Sequence, residues 1–114
     1  MALDYFEWEA GDVIVLHLSG PVTLGQGTRK FRDLIDATLK SGKKKILLNM
    51  SEVYNMDSSG LGELVAAHTT VTREGGILKL VKLTRRVHDA VQLTKIYRLF
   101  EVYEDEDTAV GSFQ

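Results

Sequence analysis

The stretch Ile46-Leu47-Leu48-Asn49-Met50-Ser51-Glu52-Val53-Tyr54-Asn55-Met56-Asp57-Ser58-Ser59-Gly60-Leu61-Gly62 decides the fold. Its first five residues are a short, nearly continuous apolar run of the kind that forms a strand buried on both faces. A loop follows from Ser51 to Asp57. An acid, two hydroxyl residues and two glycines then open a helix over about Ser58 to Glu74, with Leu61, Leu64, Val65, His68 and Val71 as its inward stripe. Gly75-Gly76 ends it. A buried strand that feeds an amphipathic helix is the repeating unit of a parallel α/β sheet. The loop between them then lies at the carboxyl end of the strand, where such sheets place their functional residues.

Working outward, the same alternation continues in both directions. Leu3 to Glu9 mixes aromatic residues with acids and reads as a short edge strand, and Gly11-Asp12 is a turn. Val13 to Leu18 is apolar on both faces except at His17, which predicts an inner strand stopped by Gly20-Pro21. From about Leu24 the period becomes helical, with Phe31, Leu34, Ile35 and Leu39 on one stripe and Gly42 after the last turn. Lys43, Lys44 and Lys45 suit a helix C-terminus and a solvated turn. Ile77 to Lys82 alternates as a strand. Arg85 to Leu93 is a short helix facing inward through Val87, Ala90 and Val91. Leu99 to Tyr103 is a last strand, and Glu106 to Phe113 a closing helix held by Ala109, Val110 and Phe113. The order β-β-α-β-α-β-α-β-α predicts an α/β domain spanning residues 1–114. Its sheet has four or five strands, mostly parallel, with the helices mainly on one face.

Composition sets the class of function. At 114 residues the chain is long enough for one core and short for two domains. No cysteine is present, so disulfides, thiolate chemistry and Cys-type zinc sites are excluded. Fourteen basic against sixteen acidic residues leave a net charge of −2, without the basic excess that nucleic acid or a membrane surface calls for. No apolar run approaches the roughly 20 residues that span a bilayer. The opening Met-Ala-Leu-Asp-Tyr-Phe-Glu lacks the blocks of a signal peptide, so a cytoplasmic protein is expected.

The chemistry is concentrated at the start of the second helix. Asp57, Ser58 and Ser59 are residue types that cap a helix by accepting from its free N–H groups. One cap suffices, however, and a glycine in a helix costs roughly 0.5 to 1 kcal/mol relative to alanine. Gly60 and Gly62 therefore call for a reason such as close backbone approach. A hydroxyl in the first turn sits beside the positive end of the helix dipole, where a phosphate is tolerated. The segment is neither a Walker loop, having no Gly-Lys-Ser/Thr, nor a nucleophile elbow, in which serine lies between the glycines.

In that context Met56-Asp57-Ser58-Ser59-Gly60-Leu61-Gly62, after a strand ending in Leu-Asn-Met and a Val-Tyr-Asn loop, resembles the signature of the STAS domain. It is most similar to that of the bacterial anti-sigma factor antagonists. The resemblance extends from Leu3 to Phe113. It implies a regulatory protein and no catalyst, so no cofactor, metal or catalytic residue is expected. Its implied partners are an anti-sigma factor that is also a serine kinase, bound by the unphosphorylated form so that a sigma factor is freed, and a phosphatase. The implied phosphate acceptor is Ser58, with Ser59 second. The implied partner surface comprises Thr23, Met56, Asp57, Ser58, Ser59, Gly60, Leu61 and Gly62. A phosphoserine adds about −1.5 to −2 charge, which would double the net charge of the chain.

The sequence departs from the family at Gly20-Pro21-Val22-Thr23, where antagonists usually carry a carboxylate. That departure favours the alternative of a STAS adaptor in a signalling or lipid-transport complex that is not a kinase substrate. Nucleotide binding at the helix start is a third reading. Gly25 and Gly27 suggest a loose approach to the first helix. His17, His68 and His88 lie in different elements, and adjacent Asp57 and Ser58 cannot take up triad geometry with any of them. Arg85-Arg86 and the acidic residues Glu101 and Glu104 to Asp107 read as solvated surface, the latter able to steer a basic partner.

Overall fold

The computed structural model describes residues 2–114. Five strands and four helices follow one another as β1 (Asp4–Ala10), β2 (Val13–Ser19), α1 (Gln26–Lys40), β3 (Lys45–Glu52), α2 (Ser58–Arg73), β4 (Ile77–Val81), α3 (Arg85–Leu93), β5 (Val102–Tyr103) and α4 (Glu106–Gly111). The sheet runs β1-β2-β3-β4-β5 in space. β1 is antiparallel to β2 and every other pair is parallel, so the predicted mixed, mostly parallel α/β sheet is the one observed.

The apolar run 46–50 is the middle of this sheet. In register, Leu48 lies between Leu16 on β2 and Leu80 on β4, and Ile46 between Ile14 and Leu78. These side chains project onto one face and meet Phe31, Leu34 and Ile35 of α1, Leu61 and Leu64 of α2, and Val87 and Val91 of α3 in the main core. The alternate residues Val13, Val15, Leu47 and Val81 point to the opposite face, where Ala109 and Phe113 cover them. Three helices on one face and the short α4 on the other explain why Val13 to Leu16 of β2 and Ile46 to Leu48 of β3 are apolar on both faces. On β4, Lys79 breaks this pattern. It is buried on the α4 face, where its Nζ donates to the Ser112 carbonyl and hydroxyl at 2.9 Å and lies 4.8 Å from the Phe113 ring centre. It fastens the end of the chain to the sheet.

Two expectations are corrected. The predicted strand 99–103 is reduced to Val102–Tyr103. Lys95 takes a left-handed conformation, a 3₁₀ turn runs over Ile96–Arg98, and Phe100 turns into the main core, which uses up the residues that alternation had placed in the sheet. The approach to α1 is tight where looseness was expected. Thr28 Oγ1 accepts from the Gly25 N–H at 3.2 Å and donates to its carbonyl at 3.1 Å. A Cβ on Gly27 would stand 2.7 Å from the Pro21 carbonyl oxygen. Gly27 serves close packing of α1 on the preceding loop.

Candidate functional site

Beyond the carboxyl ends of β2 and β3, the two parallel chains stay joined after the sheet stops. The Gly20 N–H donates to the Glu52 carbonyl and the Val22 N–H to the Asn55 carbonyl, both at 3.0 Å, and Val22 forms an isolated bridge with Met56. The next link in this row is a side chain. Asp57 Oδ2 accepts from the Leu24 N–H at 3.0 Å, while Oδ1 accepts from the Gly60 N–H at 2.8 Å. One carboxylate thus caps α2 and fastens the loop before α1 to the loop before α2. A third loop joins through Thr84, whose hydroxyl donates to the Val53 carbonyl at 2.8 Å.

This clasp fixes the charge state of Asp57. The Leu24 N–H foremost, and then the Gly60 N–H, hold its carboxyl below the usual carboxylate range. A carboxyl group with a lower pKa folded than unfolded adds stability that is complete above the unfolded value. That stability is lost as pH falls through the folded value. Acidification below the usual carboxylate range therefore loosens the two loops. Asp12, Glu101 and Asp105 are shifted in the same direction, so the signature of Asp57 is a difference. Thermal midpoints of wild type and Asp57→Asn measured from about pH 7 to pH 2 should differ most at neutral pH and converge in acid.

The two glycines of the motif have separate roles. A Cβ on Gly60 would lie 2.0 Å from the Val22 carbonyl oxygen and 2.8 Å from Met56 Cγ, so α2 crosses the β2–α1 loop at a distance only glycine allows. At Gly62 nothing stands within 4 Å, and the residue is exposed. Gly62→Ala should therefore stabilise the chain by about 0.5 to 1 kcal/mol, seen as a higher denaturation midpoint. An unchanged or lower midpoint would mean that the open space is used within the fold.

Around the clasp, the residues named from sequence separate into two layers. Ser58 and Gly62 are exposed, and Thr23, Asp57 and Ser59 are half-buried. Met56, Gly60 and Leu61 are buried beneath them, with Met56 and Leu61 in the main core. Their part is to support the surface. Two residues that sequence reasoning did not single out complete it: Leu24 and Tyr54 are 75% and 67% exposed on the two joined loops. Tyr54 borders a depression of ≈ 440 Å³ shared with Gly20, Pro21, Thr23 and Asn55. The result is a small apolar and hydroxyl-bearing surface with one carboxylate.

The other sequence candidates lie apart from it. His17 stacks on Phe6, His68 meets Phe100 edge-on at 5.1 Å, and His88 is on the surface of α3. Both oxygens of Asp57 are occupied by backbone N–H groups, so it orients no histidine. Arg85 is exposed and 3.5 Å from Asp89. Part of the acidic run is structural: Asp105 caps α4 and Glu106 accepts from Asn49 Nδ2. Among the described residues no cluster of three or more His, Asp or Glu is arranged to hold a metal ion. No helix among them is long and apolar enough to cross a membrane.

Comparison with known proteins assigns the fold. The STAS domain matches residues 9–109, nearly the whole chain. The chain belongs to the STAS domain family. A candidate anti-sigma factor antagonist of Thermotoga neapolitana is 28% identical over 103 residues, which are 90% of this chain and 91% of that one. The crystal structure of a candidate anti-sigma factor antagonist from Thermotoga maritima superposes with a TM-score of 0.87 at 25% identity, over 95% of this chain and 92% of that one. SpoIIAA of Bacillus, solved in its phosphorylated form, shares the fold with a TM-score of 0.73 at 17% identity, over 97% of this chain and all of that one. STAS domains of the antagonist kind are regulatory binding modules. In this STAS domain the Asp57 clasp ties together the loops that lie beside the exposed first turn of α2.

Proposed function

We propose that this protein is an anti-sigma factor antagonist switched by phosphorylation of Ser58. In its unphosphorylated form it binds a cytoplasmic anti-sigma factor that is also a serine kinase, and the sigma factor is released. The kinase transfers the γ-phosphoryl group of ATP to Ser58 Oγ, with ADP leaving, and a phosphatase hydrolyses the ester. The observation that carries this reading is the division of labour at the start of α2. Asp57 does the capping, which leaves Ser58 exposed and free of a structural task. Ser59, half-buried, is the second choice of acceptor.

The contact surface of this reading is Thr23, Asp57, Ser58, Ser59 and Gly62, with Leu24 and Tyr54 as apolar anchors and Met56, Gly60 and Leu61 beneath. It is nearly uncharged apart from Asp57, so a partner buries it at modest desolvation cost. A phosphate reverses that balance. It places about two further negative charges next to the Asp57 carboxylate, whose oxygens already hold the nearest N–H groups.

Incubation with the anti-sigma factor kinase of the same organism and ATP should add the mass of one phosphate to the wild-type chain and none to Ser58→Ala. Full incorporation into Ser58→Ala would move the acceptor to Ser59. A second reading, a STAS adaptor that is not a kinase substrate, is favoured by the absence of a carboxylate from the loop 20–23. It predicts an unmodified wild-type chain in the same reaction, together with co-purification with the subunits of a larger assembly.

A further inference from the structure

β1 is an edge of the sheet and carries Tyr5, Phe6 and Trp8, which include the only tryptophan of the chain. They are 39%, 60% and 51% exposed. The register with β2 sets Phe6 opposite His17 and Trp8 opposite Val15, on the α4 face of the sheet. Tyr5, Glu7 and Glu9 point to the other face. Phe6 is held in place by stacking on His17, with ring centres 4.7 Å apart and planes within 15°. Sheet edges are normally blunted by charged side chains, lysine above all, by proline or by a bulge. β1 contains no lysine and no proline, its register with β2 is unbroken, and its charges are all carboxylates, those of Asp4, Glu7 and Glu9.

The charges on this edge select what can pair with it. Glu9 forms an ion pair with Lys43, whereas Asp4 and Glu7 have no cationic partner among the described residues. A second copy would bring the same three carboxylates to the seam and is disfavoured. A cationic strand is complemented twice: by Glu7 and Glu9 on one face, and by Asp4 with the rings of Phe6 and Trp8, which attract cations and bury aliphatic stems, on the other. We propose that the β1 edge is a second docking site, at which an extended segment of another protein with alternating basic and aliphatic residues adds as a sixth strand. The main chain supplies the pairing, Glu7 and its neighbours receive the basic side chains, and Phe6 and Trp8 receive the aliphatic ones.

Because the chain has one tryptophan, its emission reports on this edge directly. We would titrate the full chain with the acetylated and amidated peptide Lys-Val-Arg-Val-Lys-Val-Arg. The expected result is a saturable change in Trp8 emission, at least about tenfold weaker when the central residue of the peptide is proline. Glu7→Lys, an exposed change that leaves the circular dichroism unaltered, should weaken binding by about tenfold. Equal binding of the proline peptide, or no effect of Glu7→Lys, would overturn the proposal. So would sedimentation showing a dimer of the chain that Phe6→Asp dissociates, because the edge would then belong to a second copy.

Discussion

Gly60→Ala is expected to be the most damaging single methyl group that can be added to this protein. The new Cβ would stand 2.0 Å from the Val22 carbonyl oxygen, a backbone atom that no rotamer change can move away. Relief requires the β2–α1 loop to leave α2. That movement breaks the Val22–Met56 bridge and stretches the bond from the Leu24 N–H to Asp57. Overpacking of this kind costs about 1 to 3 kcal/mol, and each lost hydrogen bond about 1 kcal/mol more. The sum, about 3 kcal/mol, corresponds to a thermal midpoint lower by roughly 10 °C for a chain of this size. Gly62→Ala, the same change two residues along, is the internal control and is expected to act in the opposite direction. Partner binding should fall with Gly60→Ala even below its melting range, because the clasped loops carry the exposed Leu24 and Tyr54. A Gly60→Ala midpoint within a degree or two of wild type would show that the helix and loop do not meet as described.

The second large effect is expected at Ser58, on binding with little change in stability. Ser58→Ala should leave affinity for the anti-sigma factor near that of wild type, since the hydroxyl caps nothing. Ser58→Asp should weaken it on the order of tenfold. A full phosphate should weaken it on the order of 100-fold, because a dianion beside Asp57 must be stripped of water in the contact. None of these changes should lower the thermal midpoint, since negative charge in the first turn of a helix is favourable. Loss of affinity with loss of stability would point to a structural role for the serine. Loss of affinity alone is the mark of a switch.

Much of this was legible before any coordinates. The apolar run 46–50, the stripes of α1 and α2, and the turn at Gly75-Gly76 specify elements through local periodicity. Strand and helix then alternate in the only way a parallel sheet permits. The helix cap at Asp57 was legible too, since it joins residues three apart. What escaped were the contacts that join residues distant in sequence. The bond from the Leu24 N–H to Asp57 spans 33 residues, and nothing in either segment announces it. Gly60 and Gly62 look alike in sequence because the carbonyl that separates their roles belongs to Val22. Nothing local marks Leu24, at the expected start of the first helix, or Tyr54, in the loop 51–57, as exposed residues of one surface. The last strand failed through the left-handed turn at Lys95, which diverts Phe100 from the sheet into the core. The loop before α1 is tight for two reasons the sequence does not separate: Gly25 takes a positive φ and is bonded to Thr28, and Gly27 packs against the Pro21 carbonyl.

The central claim is that one phosphate on Ser58 separates this protein from its partner while leaving the fold intact. It is tested most directly by calorimetric titration of the anti-sigma factor kinase with the intact chain in two forms, unmodified and phosphorylated at Ser58. The account predicts tight binding of the first and affinity lower on the order of 100-fold for the second, with both forms melting at or above the unmodified midpoint. Equal affinity of the two forms would contradict it.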